Sequence, residues 1–246
     1  MLEETNDIHI RPLGDSALTV ILDEKVNKEV HEKVLSLISI IEKNPFIGFL
    51  EALPAYNKVT IFYNPIEVYQ TYVKQNSIFE TVSMIVKNYV KKINNQVNIE
   101  HRCVDIPVLY GGQYGPDLEH VAKINHLTPE EVIHIHTKNE YLVYMIGFAP
   151  GFPFLGGMDQ RIAAPRKDSP RSKIPSGSVG IAGEQTGIYP LETPGGWQII
   201  GRTPLDLFLP ASSSTLLKPG DTLRFVAISH EEYLERKEEV KQCLST

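Results

Sequence analysis

The chain has 246 residues, of which 42% are hydrophobic and 22% are charged, and this composition excludes a disordered or fibrous protein. Its net charge of -6 gives no support for nucleic-acid binding, which usually depends on a basic surface. No apolar run approaches the roughly 18 residues that a membrane span needs, and the acidic first residues lack the pattern of a signal peptide. Cys103 and Cys243 form no CxxC metal pair, so we expect two reduced thiols in a cytoplasmic protein.

Strand and helix patterns alternate over the first part of the chain. Strands are predicted over residues 8–10, 18–22 and 59–63. Apolar residues that recur every three or four positions predict an amphipathic helix over 27–43, which Pro45 ends. Ser77 and Glu80 have the spacing of a capping box and predict the start of a second helix. Because residues 91–96 are polar and unpatterned, we place a boundary there and expect an α/β domain over residues 1–95.

The second domain, over residues 96–246, has a different pattern. Two short helices are predicted, one after Pro116-Asp117 and one that Thr128 caps, with Pro129 at its first position. Strands are predicted over residues 102–109, 141–148, 178–182, 197–201 and 222–228. Ser229 and Glu232 predict the cap of a C-terminal helix. Residues 147–201 hold 11 of the 17 glycines, and short strands between Gly/Pro turns indicate a β-barrel rather than a parallel sheet.

The cations of this glycine-rich part suggest a binding surface. Residues 147–202 contain four arginines and two lysines, whereas the rest of the chain has four arginines and fourteen lysines. Arginine presents a planar fork that binds carboxylate or phosphate oxygens in a bidentate way. Arg166 and Arg171 each follow a proline, which stiffens the backbone, and Arg202 completes the candidate anion site. The alternative is a solvated basic loop whose cations are paired to acids elsewhere in the chain.

Further candidates surround these arginines. Gln185 and three arginines are predicted as catalytic residues: Arg166, Arg171, Arg202. Substrate-binding residues are predicted in the Gly/Pro-rich turns and beside them: Phe148, Pro150, Gly151, Phe152, Thr186, Tyr189, Trp197. Tight turns in a small barrel are the alternative explanation of the Gly/Pro pattern, and a single tryptophan is as well explained as a core residue.

Metal and nucleotide motifs are missing from the sequence. His134 and His136 lie two positions apart on a predicted helix and do not share a face, so they indicate surface or core histidines rather than a zinc site, and His136 is a candidate cap for the barrel mouth. No metal site is predicted. No GxGxxG fingerprint and no P-loop is present, so a nucleotide would have to be bound by another route or partly by another subunit.

Several longer motifs together resemble the KipI/allophanate hydrolase subunit 1 family, and within it the subunits of 5-oxoprolinases. The resemblance covers essentially the whole chain. The motifs begin with Arg11-Pro12-Leu13-Gly14-Asp15 and continue through Gly147-Phe148-x-Pro150-Gly151-Phe152-Pro153, Pro165-Arg166-x3-Pro170-Arg171, Gln185-Thr186-Gly187-Ile188-Tyr189-Pro190 and Pro194-Gly195-Gly196-Trp197.

The resemblance implies an α+β protein, with an α/β N-terminal domain followed by a cyclophilin-like β-barrel domain. It implies a non-autonomous enzyme subunit that acts with a C subunit and an A subunit in the ATP-dependent opening of 5-oxoproline to L-glutamate. ATP, with Mg²⁺, is the implied cofactor, bound through partner subunits or through this chain. Neither a nucleic acid nor a membrane is implied as a partner.

Two other functions stay open at this point. One is a protein inhibitor of a sensor histidine kinase, because one relative in this family has that role. The other is a carboxyltransferase-type subunit of a urea carboxylase or allophanate system. No lysine-bearing biotinyl motif is present, so the second alternative would need a separate carrier.

Overall fold

The structure is a computed structural model that describes residues 8–73, 75–93 and 102–243. It forms two compact units, Met1–Glu100 and His101–Thr246. The boundary predicted after residue 95 lies outside the described residues. Cys103 is an exposed free thiol, whereas the expectation for Cys243 concerns a side chain outside the described part of the chain. No helix among the described residues is long and apolar enough to cross a membrane.

The first unit is a four-stranded antiparallel sheet with three helices. Its strands are β1 (His9–Pro12), β2 (Ala17–Ile21), β3 (Phe49–Ala55) and β4 (Lys58–Tyr63), in the spatial order β1-β2-β4-β3. Its helices are α1 (Lys28–Lys43), α2 (Pro65–Tyr72) and α3 (Ile78–Val90). The three predicted strands and two predicted helices are confirmed, but β3 and α2 were not predicted.

Local chemistry explains the ends of these helices. The side chain of Asn27 accepts a hydrogen bond from the backbone of Val30 and caps α1. Ser77 and Glu80 form the predicted capping box at the start of α3. Asn64 caps α2, and Pro65 occupies its first turn, where a missing N–H costs nothing. Asn64-Pro65 directly follows the strand predicted over residues 59–63, and no helix was predicted after it.

The described residues of the second unit form eleven further strands and three further helices. In chain order its elements are β5 (Cys103–Tyr110), α4 (Leu118–Ile124), α5 (Pro129–Lys138), β6 (Glu140–Ile146), β7 (Pro153–Gly156), a short 3-10 helix (Gln160–Ile162), β8 (Arg171–Ile174), β9 (Ser178–Ala182), β10 (Gln185–Ile188), β11 (Thr193–Gly195), β12 (Gln198–Arg202), β13 (Phe208–Leu209), β14 (Ser214–Thr215), β15 (Thr222–Ala227) and α6 (His230–Cys243). The capping boxes predicted at Thr128 and at Ser229 are both present.

Seven of these strands form one strongly curved sheet. Their order is β10-β9-β12-β5-β15-β6-β7, antiparallel except for the parallel pair β5 and β15. The edge strands β7 and β10 lie next to each other, so the sheet is nearly closed and barrel-like. Its interior is filled by branched and aromatic side chains such as Ile106, Ile181 and Phe225. This architecture confirms the predicted barrel and the α+β fold class.

Two shorter strands outside the barrel sheet shape the site. β8 and β11 form a two-stranded antiparallel sheet in which Arg171 lies opposite Gly195. The ladder therefore joins the arginine-rich segment to the Pro194-Gly195-Gly196 segment that leads into β12.

Candidate functional site

A small cleft in the second unit lies where three Gly/Pro-rich segments meet. Its volume is about 140 Å³, smaller than the roughly 300–1,000 Å³ of pockets for drug-sized ligands. It is lined by Phe148, Phe152, Phe154, Arg166, Tyr189, Pro194, Gly195, Gly196 and Trp197. A cleft of this size suits a ligand with few non-hydrogen atoms.

Aromatic packing forms the walls of the cleft. The Phe152 ring packs edge-to-face against the rings of Tyr189 and Trp197, with centroid distances of 5.7 Å in both cases. Such pairs each contribute about 0.5–1.5 kcal/mol beyond the area that they bury. A Cβ atom at Gly187 would lie 3.0 Å from Phe152 and 3.1 Å from Trp197, so the glycine makes room for both rings. Trp197 is only 9% exposed, and it therefore serves as a core residue while its edge lines the cleft.

One aromatic residue at the cleft differs from the others in its exposure. Phe148 is 76% exposed and has a φ of 65°, in the left-handed region that residues other than glycine rarely adopt. It lies in the turn between β6 and β7, which Gly151 completes with a φ of 85°. A hydrogen bond of 3.1 Å from the Gly147 N–H to the Phe152 carbonyl closes this turn. Pro150 and Gly151 thus shape the turn, while Phe148 and Phe152 supply the lining.

Arg166 is the single charged residue among the described residues that line the cleft. Its backbone is held on both sides: Gln198 donates a 2.9 Å hydrogen bond to the Pro165 carbonyl, and the Lys167 N–H donates a 2.7 Å bond to the Gly196 carbonyl. Burial raises the pKa of Tyr189, and the nearby Arg166 charge acts in the opposite direction. Within residues 8–73, 75–93 and 102–243, no hydrogen bond or ion pair engages the Arg166 guanidinium.

The loop over residues 165–171 carries two cations besides Arg166, and both are paired with a buried carboxylate. Asp117 accepts bonds of 2.7 and 2.8 Å from Arg171 and one of 3.3 Å from Lys167. It also accepts a 2.7 Å bond from the Ile199 N–H. Burial acts to raise the pKa of Asp117, but these hydrogen bonds outweigh it and hold the pKa below its ordinary value. Asp117 does precede α4 as predicted, but its side chain makes no capping bond because these partners occupy it.

Arg202 lies away from the cleft. It ends β12, whereas Trp197 immediately precedes that strand, and Arg202 is not among the residues that line the cleft. Its guanidinium lies 5.4 Å from the centre of the Tyr114 ring and interacts with Tyr233 of α6. The structure therefore does not bring the three predicted arginines together around one ligand.

Thr186 and Gln185 also fall outside the cleft lining. The Thr186 side chain points into the barrel, where it lies 2.9 Å from Nε2 of His136 and donates a 3.1 Å hydrogen bond to the Gly180 carbonyl. Because the Thr186 hydroxyl donates its proton to the Gly180 carbonyl, it accepts a hydrogen bond from the Nε2–H of His136. Nδ1 of His136 then accepts a 2.8 Å hydrogen bond from the Tyr110 hydroxyl. Gln185 opens β10.

His136 is a core histidine in this structure, whereas the sequence left open a surface histidine, a core histidine or a cap for the barrel mouth. Burial lowers its pKa to about 3, so the ring is neutral near pH 7. Among the described residues, no group of three or more His, Cys, Asp and Glu side chains is arranged to hold a metal ion.

Five residues of the site were not predicted as site residues from the sequence. Four line the cleft: Phe154, Pro194, Gly195, Gly196. The fifth is Asp117, which contacts no ligand position itself but pairs with two of the three loop cations. The Gly/Pro turn before Trp197 was a usable signal for three of the four, whereas nothing local marks Asp117 as the partner of a residue 54 positions away.

The second unit is a nearly closed barrel with a small cleft, and the first unit is a small sheet with helices. Residues 8–217 match the family described as carboxyltransferase domain, subdomain C and D, and the chain belongs to that family. The resemblance inferred from the motifs is thereby confirmed.

The chain is also similar to individual known proteins over most of its length. It is 54% identical to the B subunit of 5-oxoprolinase from Bacillus subtilis (strain 168), over 94% of this chain and 97% of that protein. It is 38% identical to the B subunit of 5-oxoprolinase from Escherichia coli O157:H7, over 87% of this chain and 93% of that protein. Among solved structures, TTHA0988 aligns with a TM-score of 0.72 and 32% identity over 90% of this chain. This chain spans 40% of the length of TTHA0988.

Proposed function

We propose that this chain is the B subunit of an ATP-dependent 5-oxoprolinase and that it acts with a C subunit and an A subunit. The complex would open 5-oxoproline to L-glutamate. The identity of 54% to a 5-oxoprolinase B subunit, over nearly the full length of both chains, supports this assignment. The geometric observation that carries it is the cleft, in which one unpaired guanidinium among the described residues faces aromatic walls.

The residues of the cleft fit the chemistry of this substrate. In the reaction the bond between the ring carbonyl carbon and the ring nitrogen breaks, a water oxygen adds to the carbon, and the nitrogen takes up protons. The amide is stable, and ATP would activate it by transfer of a phosphoryl group to its oxygen, with release of ADP. That phosphoryl group would leave as inorganic phosphate when the ring has opened. Arg166 binds and orients an anionic group, and the rings of Phe152 and Trp197 exclude water from one side of the ligand.

The described residues fit only part of the ATP-dependent reaction. A triphosphate needs several cations or a metal ion around it. The cleft offers one unpaired cation, and the described residues hold no carboxylate cluster suited to Mg²⁺. We therefore assign the binding of ATP and Mg²⁺ mainly to the partner subunits, with this chain completing the substrate side of a shared site.

A carboxyltransferase role is the second candidate, because the family description names a carboxyltransferase domain. That reaction would need a biotin carrier on another chain. It differs from the first proposal in its products, since it transfers a carboxyl group and releases no glutamate.

The test is to co-express this chain with candidate C and A subunits and to measure glutamate formation from 5-oxoproline and ATP. Turnover is expected from the complex and not from the purified chain alone. Arg166→Gln should reduce turnover of the complex about tenfold or more, the value of one or two charged hydrogen bonds. Arg224→Gln is the matched control, because Arg224 is an exposed arginine of β15 that pairs with exposed Asp105.

Three outcomes would count against the proposal. Robust turnover by the lone chain would show that it is a complete enzyme. Stable assembly without glutamate formation would favour the kinase-inhibitor alternative. Biotin-dependent carboxylation by the assembled subunits would favour the carboxyltransferase alternative.

A further inference from the structure

We infer that this chain, without ATP and without its partners, binds the carboxylate of 5-oxoproline at Arg166 and places the lactam ring against the Trp197 side of the cleft. The identity of the ligand rests on the proposed function. The chain would then be the substrate-binding member of the complex, and the groups that bind phosphate would belong to its partners.

The distribution of charge in the loop is the first argument. The loop carries three cations, Arg166, Lys167 and Arg171, and all three would suit a polyanion if they were free. Asp117 pairs with two of these cations, Lys167 and Arg171, and its pair with Arg171 is bidentate. What remains at the cleft is one guanidinium, which matches a ligand with a single negative charge better than it matches a triphosphate.

The second argument is that Arg166 is held in place before any ligand arrives. The hydrogen bonds from Gln198 to the Pro165 carbonyl and from the Lys167 N–H to the Gly196 carbonyl attach its backbone to the segment that carries Trp197. The backbone that carries Arg166 and the aromatic wall are thus parts of one hydrogen-bonded unit. A ligand that contacts both loses little free energy in ordering the protein.

The size and polarity of the cleft are the third argument. Its volume is about 140 Å³, and most of its lining is aromatic or glycine. Gly195 lies so close to Tyr189 that a Cβ atom there would be 2.5 Å from the hydroxyl, so the cleft is narrow on that side. A compact ring with one carboxylate satisfies the cation and the apolar walls together, whereas an open-chain ligand with two carboxylates and an ammonium group leaves charges against the rings.

The binding test uses the fluorescence of the isolated full chain, because Trp197 is its only tryptophan and lines the cleft. Saturable change is expected on titration with 5-oxoproline. 2-Pyrrolidinone, which has the same ring without the carboxylate, should bind about tenfold more weakly or worse, since it loses the charged hydrogen bonds. ATP should give no saturable change that depends on Arg166.

Variants link the signal to the proposed contact. Arg166→Gln should weaken 5-oxoproline binding about tenfold or more, and Arg166→Lys, which keeps the charge but loses the fork, should give an intermediate loss. Arg224→Gln should bind as the unmodified chain does. If Arg166→Gln proves unstable in thermal unfolding, the comparison of Arg166→Lys with Arg224→Gln decides whether Arg166 binds 5-oxoproline.

The inference is overturned if 5-oxoproline does not bind the isolated chain, if 2-pyrrolidinone binds equally well, or if ATP binds in a way that Arg166→Gln abolishes. The assembled complex separates this result from the proposed function. There, Arg166→Gln should raise KM for 5-oxoproline and leave KM for ATP unchanged. A complex that releases glutamate while Arg166→Gln changes only KM for ATP would sustain the proposed function and refute this inference.

Discussion

The carboxylate of Asp117 accepts two nearly parallel hydrogen bonds from the Arg171 guanidinium, at 2.7 and 2.8 Å, although the two residues are 54 positions apart. The pair joins the start of α4 to the start of β8, and Arg171 in turn lies opposite Gly195 of the cleft wall. Asp117 also binds the Ile199 N–H at 2.7 Å. One buried carboxylate therefore holds the loop of Arg166 and the segment of Trp197 together.

Asp117→Asn should lower the free energy of unfolding by about 2–3 kcal/mol, because it leaves two partly buried cations without their counter-ion. Urea denaturation at pH 7 measures this loss. Because the pKa of Asp117 lies below its ordinary value of 3.8, the stabilisation is fully present above about pH 4 and is lost as the pH falls further. Asp105→Asn is the control, because it removes the partner of Arg224 in an exposed ion pair. It should lower the free energy of unfolding by less than about 1 kcal/mol. Equal losses in the two variants would contradict the central role of Asp117.

Substitution of the three arginines predicted as catalytic should have two different results. Arg166→Gln should reduce turnover of the complex with little change in the melting temperature, because its guanidinium makes no hydrogen bond or ion pair with the described residues. Arg171→Gln should lower the melting temperature, because it removes the bidentate pair with Asp117. Arg202→Gln should also lower it, through the lost contacts with Tyr114 and Tyr233. Activity per folded molecule separates these effects, and a common loss of activity at unchanged stability would favour a site of three arginines.

Gly195 and Gly196 are adjacent at the cleft, but substitution by alanine should affect the stability of the protein at only one of these two positions. A Cβ atom at Gly195 would lie 2.5 Å from the Tyr189 hydroxyl and 2.8 Å from Ile174, so Gly195→Ala should destabilise the protein by about 1–3 kcal/mol. At Gly196 the nearest atom would be 3.6 Å away, an ordinary contact, so Gly196→Ala should fold normally. Because Gly196 lines the cleft, this substitution should weaken ligand binding. Thermal unfolding together with 5-oxoproline titration tests both statements, and normal binding by Gly196→Ala would mean that the ligand does not reach this wall.

Acid should destabilise the barrel through His136. Burial holds the pKa of His136 at about 3 in the folded state, against about 6.5 in an unfolded chain. Between these values the unfolded chain binds one more proton, so stability is complete above about pH 6.5 and falls as the pH decreases. The difference in unfolding free energy between the unmodified protein and His136→Gln should shrink by about 2 kcal/mol from pH 7 to pH 5.

A matched control for this titration lies on the same helix. His134 is exposed, so His134→Gln should leave the pH dependence of stability unchanged. A difference between the unmodified protein and His136→Gln that does not change with pH would show that His136 is not buried as a neutral ring.

Most of the fold could be predicted because the relevant signals are local. The capping boxes at Ser77, Thr128 and Ser229 depend on residues three positions apart, and helical periodicity located α1 and α3. β3 was missed because Glu51 and Pro54 break the alternation of an ordinary strand, and it forms only by pairing with β4.

The site was predicted less completely, because local signals do not show which residues meet across the folded chain. Segments rich in glycine, proline and aromatic residues marked Phe148, Phe152, Tyr189 and Trp197, and all four line the cleft. Thr186 belongs to the same motif as Tyr189, but the alternation of a strand turns its side chain into the barrel toward His136. Tyr189 lies just after the end of β10, and it lines the cleft instead.

The sequence alone determined the two-part organisation, the barrel and the cation-bearing loop, because periodicity, caps and Gly/Pro turns depend on residues a few positions apart. It also offered two outcomes for the arginines, a shared anion site or pairing with distant acids. The tertiary structure decided between them residue by residue. Asp117 pairs with Arg171 and Lys167, Tyr114 and Tyr233 contact Arg202, and Arg166 is left facing the cleft. Charge pairing depends on distances across the folded chain, and the spacing of residues along the sequence carries no record of those distances.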